Sequence, residues 1–276
     1  MATLPDVIKK IAKLRRKKVG VALGGGAAKG LAQIGVLEVL EESGIPIDMI
    51  AGTSIGAVIG AIYAQGKDLR KTKDLAIELG RKRMLPLLDL VLPRTGFISG
   101  RKVEDFLKQV IGDVEFKDLK IPFACVATDV MCGEEVVIRQ GSVVEAVRAS
   151  MSIPAVFMVA RWKDRYCVDG GLVNPVPVSV LREMGADYII AVDVVSVRGH
   201  EMGEIKKLSV INVLIQSLYI GTHSLAKTLL AGADTVINPQ VEHIGFTDFH
   251  RAPECIRHGE IAARQALLKI KKGLRA

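Results

Sequence analysis

IDMIAGTSIGAVIGAIYAQG, residues 47–66, changes character in its middle. Ile47 to Ser54 reads as a strand. Ser54 to Gly66 reads as a helix of small and apolar residues, itself buried. The junction is GTSIG, Gly52 to Gly56, which has the spacing Gly-x-Ser-x-Gly. At ordinary glycine and serine usage that pattern arises by chance in about one chain in ten of this length. Its setting is more informative. A serine on a sharp strand-to-helix turn is what a nucleophile elbow requires. Gly52 and Gly56 keep side chains out of the crowded turn, and the helix N-terminus favours negative charge at Ser54.

Upstream, KVGVALGG (18–25) reads as a second buried strand running into a glycine loop, and AKGLAQIGVLEVLEESG (28–44) has helical periodicity. Leu31, Ile34, Leu37 and Leu40 form its apolar stripe, and Gly44 ends it. Strand–helix–strand–helix predicts parallel strands with crossover helices. The loop LGGGAAKG, residues 23–30, lets backbone N–H groups converge on an anion. Two phosphate-binding readings of it fail. Lys29 stands where a dinucleotide fingerprint needs its third glycine, and no acidic residue ends the second strand. A Walker A loop needs Lys followed by Ser or Thr, whereas Lys29 precedes Gly30. An oxyanion hole for a tetrahedral acyl intermediate and a purely structural tight turn remain.

A serine nucleophile needs a base. Asp169 in VDGG (168–171) precedes two glycines, Gly170 and Gly171, that let the chain turn and leave the carboxylate free. Asp129 and Asp193 also end predicted strands, so spacing alone does not choose among the three.

The remaining chain continues the α/β pattern. PFACVATDV and EEVVIRQG read as strands and SVVEAVRAS as a short helix. VFMVARWKDRYCVDGG reads as a hairpin turning near Lys163 and Asp164. A helix at VPVSVLREMGA, a strand at YIIAVDVV, a long helix over about 204–231, a strand at TVINP and a basic helix over 253–272 follow. Residues 67–115 read as a charged helical excursion broken by Pro86, Pro93 and Gly96. Within it, 80–100, with Met84, Leu85, Leu87, Leu88, Leu90, Val91 and Leu92, is either a lid or a packed helix. Residues 1–17 form a basic N-terminal helix or extension with Val7, Ile8, Ile11 and Leu14 at helical spacing. It either docks on the body or anchors at a membrane surface.

Composition bounds the partners. The 276 residues are 49% hydrophobic and 25% charged, which suits one large globular domain. Aromatics at 4% argue against stacking-based binding of single-stranded nucleic acid. The net charge of +8 suggests anionic partners. The four cysteines are scattered with no C-x-x-C, and no close His or Cys pair has ligand spacing, so a reduced cytosolic protein without a zinc site is expected. No segment reads as a signal peptide or membrane span.

The ordered set GGGAAKG, GTSIG and VDGG resembles the patatin-like phospholipase family, most of all its compact bacterial members. SMSIPAVF (150–157), VDGGLVNPVPV (168–178), CVATDV (125–130) and ADTVINP (233–239) resemble the family's connecting blocks, so the likeness spans roughly residues 18–270. It implies a three-layer α/β/α sandwich with a mainly parallel central sheet, in which residues 18–275 form a single hydrolase domain. It implies a serine acyl hydrolase acting on lipid or other acyl esters, in which Ser54 is the nucleophile and Asp169 its partner in a dyad without histidine. Gly24, Gly25, Gly26 and Ala27 would form the oxyanion loop, with Lys29 in the family's basic position and Gly30, Gly52, Gly56, Gly170 and Gly171 in support. Ala27 stands where plant members have a third loop glycine, so its N–H donates only if its φ suits a residue with a Cβ. No cofactor, metal or nucleic acid is implied. A cytoplasmic enzyme touching the anionic inner face of the membrane is expected. Two other readings compete: a Ser–Asp–His triad through His200, His223 or His243, and a non-catalytic lipid- or nucleotide-binding module.

Overall fold

The computed structural model describes residues 16–81, 96–195 and 210–275. Most of the basic N-terminal segment, the core of the 80–100 stretch and His200 therefore lie outside the described residues.

Strand β1 (Val19–Leu23) leads through the glycine loop and a 3₁₀ turn into α1 (Ala32–Glu42). Strand β2 (Met49–Thr53) leads through Ser54 into α2 (Ile55–Ala64). Helix α3 (Leu69–Arg81), the short β3 (Gly96–Ile98) and α4 (Arg101–Ile111) make up the excursion. Next come β4 (Phe123–Asp129), β5 (Glu135–Ile138), α5 (Val143–Ser150), β6 (Ala155–Phe157), β7 (Ala160–Trp162) and β8 (Arg165–Asp169). Helix α6 (Val178–Glu183), β9 (Tyr188–Val192), α7 (Val210–Leu229), β10 (Thr235–Ile237) and α8 (Ala252–Arg275) complete the chain. The pairing of β3 with β6 outside the main sheet was not foreseen from sequence.

The main sheet runs β10-β9-β1-β2-β4-β8-β7, with β5 also paired to β4. Pairs among β10, β9, β1, β2 and β4 are parallel; β5, β8 and β7 join antiparallel. Side chains alternate across the sheet with period two. Val19, Val21, Leu23, Ile50, Cys125 and Val192 join one buried cluster with residues of α1, α2, α5 and α8. Ala22, Met49, Ala51, Ala124 and Ala191 join a second with Val176 and with Val178, Val180 and Leu181 of α6. Small residues dominate this second face, so α6 packs close: a Cβ on Gly20 would stand 3.1 Å from the Leu181 methyls. Helices thus cover both faces of the sheet, giving the three layers expected.

One detail of register positions the site. Strand β5 occupies one edge of β4 along Cys125–Thr128. On the opposite edge β2 ends at Thr53, paired with Val126, and antiparallel β8 ends at Asp169, paired with Ala127. The two strands therefore abut, end against end, on neighbouring residues of β4. That abutment brings Ser54 to Asp169 across 115 residues of chain.

Candidate active site

Ser54 sits between β2 and α2 with φ 55° and ψ −122°. A non-glycine residue there carries on the order of 1–3 kcal/mol of backbone strain and needs surroundings that hold it. Gly56 lets α2 begin against the end of β1, because a Cβ would run into the Leu23 carbonyl oxygen. A Cβ on Gly52 would likewise run into the Gly56 carbonyl oxygen. Ser150, at the end of α5, fills the gap between the abutting strands: its hydroxyl donates to the Val126 carbonyl at 2.6 Å and accepts the Ser54 N–H at 2.9 Å. Ser150 lies in the SMSIPAVF block but was not singled out from sequence. Nothing in a one-dimensional pattern marks a hydroxyl that bridges Ser54 to the middle of β4.

The Ser54 hydroxyl donates to Asp169 Oδ2 at 2.6 Å, and Asp169 Oδ1 accepts the Gly171 N–H at 2.8 Å. The Asp169 backbone is held as well: its N–H donates to the Ser152 carbonyl, and its carbonyl accepts the Thr128 hydroxyl. Gly170 lies so close to the Val126 carbonyl that a Cβ would overlap it. Burial lifts the Asp169 carboxyl to about 6, even though the hydrogen bonds from Ser54 and Gly171 favour its charged form.

The other two aspartates are used elsewhere. Asp129 faces Arg165 at 3.3 Å and accepts the Met131 N–H. Asp193 accepts the Val195 N–H and is lifted by burial. The described histidines also stand apart. Among the described residues the buried Nδ1 of His223 on α7 has no hydrogen-bond partner, and His243 bonds Glu254 at 2.8 Å. Among the described residues no histidine lines the Ser54 pocket.

The glycine loop is held from four sides. Gly24 N–H donates to the Val192 carbonyl, Gly25 N–H to the Pro175 carbonyl and Ala28 N–H to the Phe246 carbonyl, while buried Gln33 donates to the Gly24 carbonyl at 2.6 Å. This corrects one expectation: the Gly24 and Gly25 amides already have acceptors and are not spare donors. The Gly26 and Ala27 amides have none among the described residues. Gly26 has φ 151° and Ala27 has φ 49°, the conformation that the substitution of alanine for glycine made critical. Gly30 packs directly on Ile55, locking the loop's 3₁₀ turn to α2. Lys29 does not point at Ser54. It is buried in an adjoining pocket with Val194, Gln216, Tyr219 and Ile244, and burial lowers its pKa against the pull of Glu242 and Asp193.

Two spaces meet at Ser54. One is a small pocket lined by Gly25, Gly26, Asp169, Leu218 and Tyr219 among others. The other is an apolar cavity of about 460 Å³ between α2, α3 and α4, reaching Leu75, Leu79, Phe106, Val110 and Phe157. The sequence left this cavity unseen, because its walls read as ordinary core stripes of separate helices. Spacing also missed one cluster: His243, Glu254 and His258 bring ligand atoms within 4.8 Å of one another. There Arg251 already bonds both Glu254 oxygens at 2.7 Å.

The residues of the expected extension that are described are tied to the body. Arg16 pairs with Asp48 at 2.7 Å, and the Lys17 ammonium donates to the Gly273 carbonyl. Among the described residues no helix is long and apolar enough to cross a membrane.

The family model "Patatin-like phospholipase" matches residues 21–182. The neuropathy target esterase sws of Drosophila melanogaster is 38% identical over 186 residues, covering 66% of this chain and 13% of that protein. An "uncharacterized NTE family protein" of Mycobacterium bovis is 37% identical over 186 residues, covering 67% of this chain and 51% of that protein. The chain therefore spans about half the length of one relative and far less of the other. In fold it is similar to VipD from Legionella pneumophila, with a TM-score of 0.50 at 15% identity over 91% of this chain and 66% of that one. From the extent of the family match and the identity of these relatives, the chain belongs to the patatin-like phospholipase family.

Proposed function

We propose that this protein is a serine acyl hydrolase that cleaves fatty-acyl esters of lipids, with Ser54 as nucleophile and Asp169 as its base. The observation that carries the reading is the 2.6 Å bond from a strained, elbow-borne Ser54 hydroxyl to a buried carboxylate at the mouth of an apolar cavity. Family membership supports the same chemistry.

In this mechanism the acyl chain lies in the apolar cavity and its ester carbonyl beside Ser54. Asp169 takes the Oγ proton as Oγ attacks the carbonyl carbon. The carboxyl's raised pKa narrows its gap to the serine hydroxyl, which makes it a better base than an ordinary aspartate. The tetrahedral oxyanion is held by the Gly26 and Ala27 amides, with the N-terminus of α2 adding its positive end. Gly24 and Gly25 shape the loop rather than donate. The proton held on Asp169 passes to the leaving alcohol. Water then attacks the acyl-enzyme with Asp169 again as base, and free Ser54 returns. Residues 18–275 act in this reading as one hydrolase unit.

The test is labelling with a fluorophosphonate alongside hydrolysis of long-chain acyl esters. The wild type is labelled and active, and Ser54→Ala is neither. Equal labelling of the two proteins would overturn the assignment, and a wild type that binds lipid but hydrolyses no ester would favour the binding-module reading.

A further inference from the structure

Helix α7 has two faces with different work to do. Ile215, Leu218, Tyr219 and Thr222 line the Ser54 pocket. Val213, Leu214, Ser217, Ile220, Gly221 and Ser224 recur at helical spacing on the opposite side and are exposed. The apolar members are 46% (Val213), 49% (Leu214) and 55% (Ile220) exposed. Single exposed apolar residues are ordinary on a protein surface. Three on one stripe, over the helix that roofs the candidate active site, are not.

A helix face that stays in water usually carries charge. This one carries none until its end: from Leu208 to Ala226 the sequence has no Asp, Glu, Lys or Arg, and exposed Lys227 follows. Such a face with a basic end, on a chain of net charge +8, is complementary to the headgroup–acyl boundary of an anionic bilayer.

We propose that α7 docks the protein on an anionic lipid surface through Val213, Leu214 and Ile220, holding the mouth of the Ser54 pocket at that surface. A lipid then passes from the bilayer along the inner side of α7 to Ser54 without crossing bulk water. The proposal rests on the lipid-ester reading of that site, and its test separates the two.

The experiment measures co-sedimentation with phosphatidylcholine vesicles, with and without phosphatidylglycerol, in a Ser54→Ala background so that hydrolysis plays no part. The Leu214→Glu/Ile220→Glu pair should weaken binding to the anionic vesicles by at least about tenfold. With Ser54 intact, the same pair should leave hydrolysis of a soluble short-chain ester within about twofold, since neither residue lines the pocket. A second readout does not depend on tolerance of charge. Ile220→Cys, in a Cys132→Ser background because Cys132 is an exposed free thiol, carries an environment-sensitive fluorophore. Its emission should shift to the blue on addition of anionic vesicles. Unchanged vesicle binding by the glutamate pair, or no shift at position 220, overturns the proposal. So does a dimer that the glutamate pair converts to monomer, which would give the face to a second copy. A joint fall in melting temperature and soluble-ester activity would give it to internal packing. Face-dependent vesicle binding by a protein that hydrolyses no ester would uphold the docking surface and remove the catalytic reading instead.

Discussion

Replacing Asp169 by asparagine should abolish turnover and stabilise the protein. The Asp169 carboxyl stands at about 6 in the folded chain because burial opposes its charge, against about 4 when unfolded. A group whose pKa is raised by folding binds its proton more tightly in the folded state. Its contribution to stability is full below the unfolded value and lost as pH rises through the folded one. Above about pH 6 the ionised carboxylate therefore costs the fold two pKa units, on the order of 3 kcal/mol. An asparagine side chain keeps the geometry: its oxygen accepts the Gly171 N–H that Oδ1 now accepts, and its amide donates toward Ser54 Oγ. It removes the charge. At roughly 2–4 °C per kcal/mol for a chain of this size, Asp169→Asn should melt about 6–12 °C above the wild type near pH 8. The gap should close as pH falls toward about 4, where the wild-type carboxyl is also neutral. Thermal melts of both proteins across that range, in matched buffers of equal ionic strength, measure it. A gap that does not change with pH, or a variant less stable at about pH 8, would refute the argument that burial of charge is what raises this pKa.

The same carboxyl sets the acid limb of catalysis: kcat/KM for a soluble ester should fall about tenfold per pH unit below about 6 and level off above it, as read from a pH–rate profile. Ser150→Ala strands the Val126 carbonyl and the Ser54 N–H, so stability should drop by about 1–3 kcal/mol in denaturant melts, and kcat should drop more than KM changes. Ala76→Phe places a ring in the apolar cavity, so a chain-length series of esters should show the optimum moving to shorter acyl groups with short-chain rates preserved. His223→Ala and His243→Ala should each keep most activity; a loss in either that matched Asp169→Asn would replace the dyad by a triad.

Much of the fold was legible because it depends on local pattern. The strand at Val19–Leu23, the turn at Ser54 and the apolar run of α2 declare themselves by periodicity and by glycine placement. The choice among Asp129, Asp169 and Asp193 was not legible from spacing, because each ends or follows a strand. What separates them is register: only β8 abuts β2 on the same edge of β4. Sequence resemblance implies Asp169, and the register brings that carboxylate to Ser54. The loop was half legible. Glycines at 24–26 signal converging amides, but which amides stay uncommitted depends on the Val192 and Pro175 carbonyls, which belong to distant segments. Strand β3, three residues long and following Pro93, has too few residues to show a period. His243 meets Glu254 and His258 only because the loop after β10 folds back on α8.

Several features that work against stability coincide in space. Ser54 holds a positive φ. Asp169 carries a buried carboxylate that burial penalises. Three successive glycines, Gly24 to Gly26, add the conformational-entropy cost of ordering a loop without side chains. Helix α7 exposes apolar residues on the outer side of the same site. Each alone has an ordinary explanation in turn geometry or surface statistics. Together they surround one point, where β2 and β8 meet on β4. The strands behind that point are buried throughout, in two separate apolar clusters, one on each face of the sheet. A fold that concentrates its unfavourable choices at one locus, and supports that locus with its best-packed layer, has retained them against their cost in stability. That concentration supports the proposal that the chemistry sits at Ser54. It also explains why the stabilising change expected at Asp169 is the one that should end the activity.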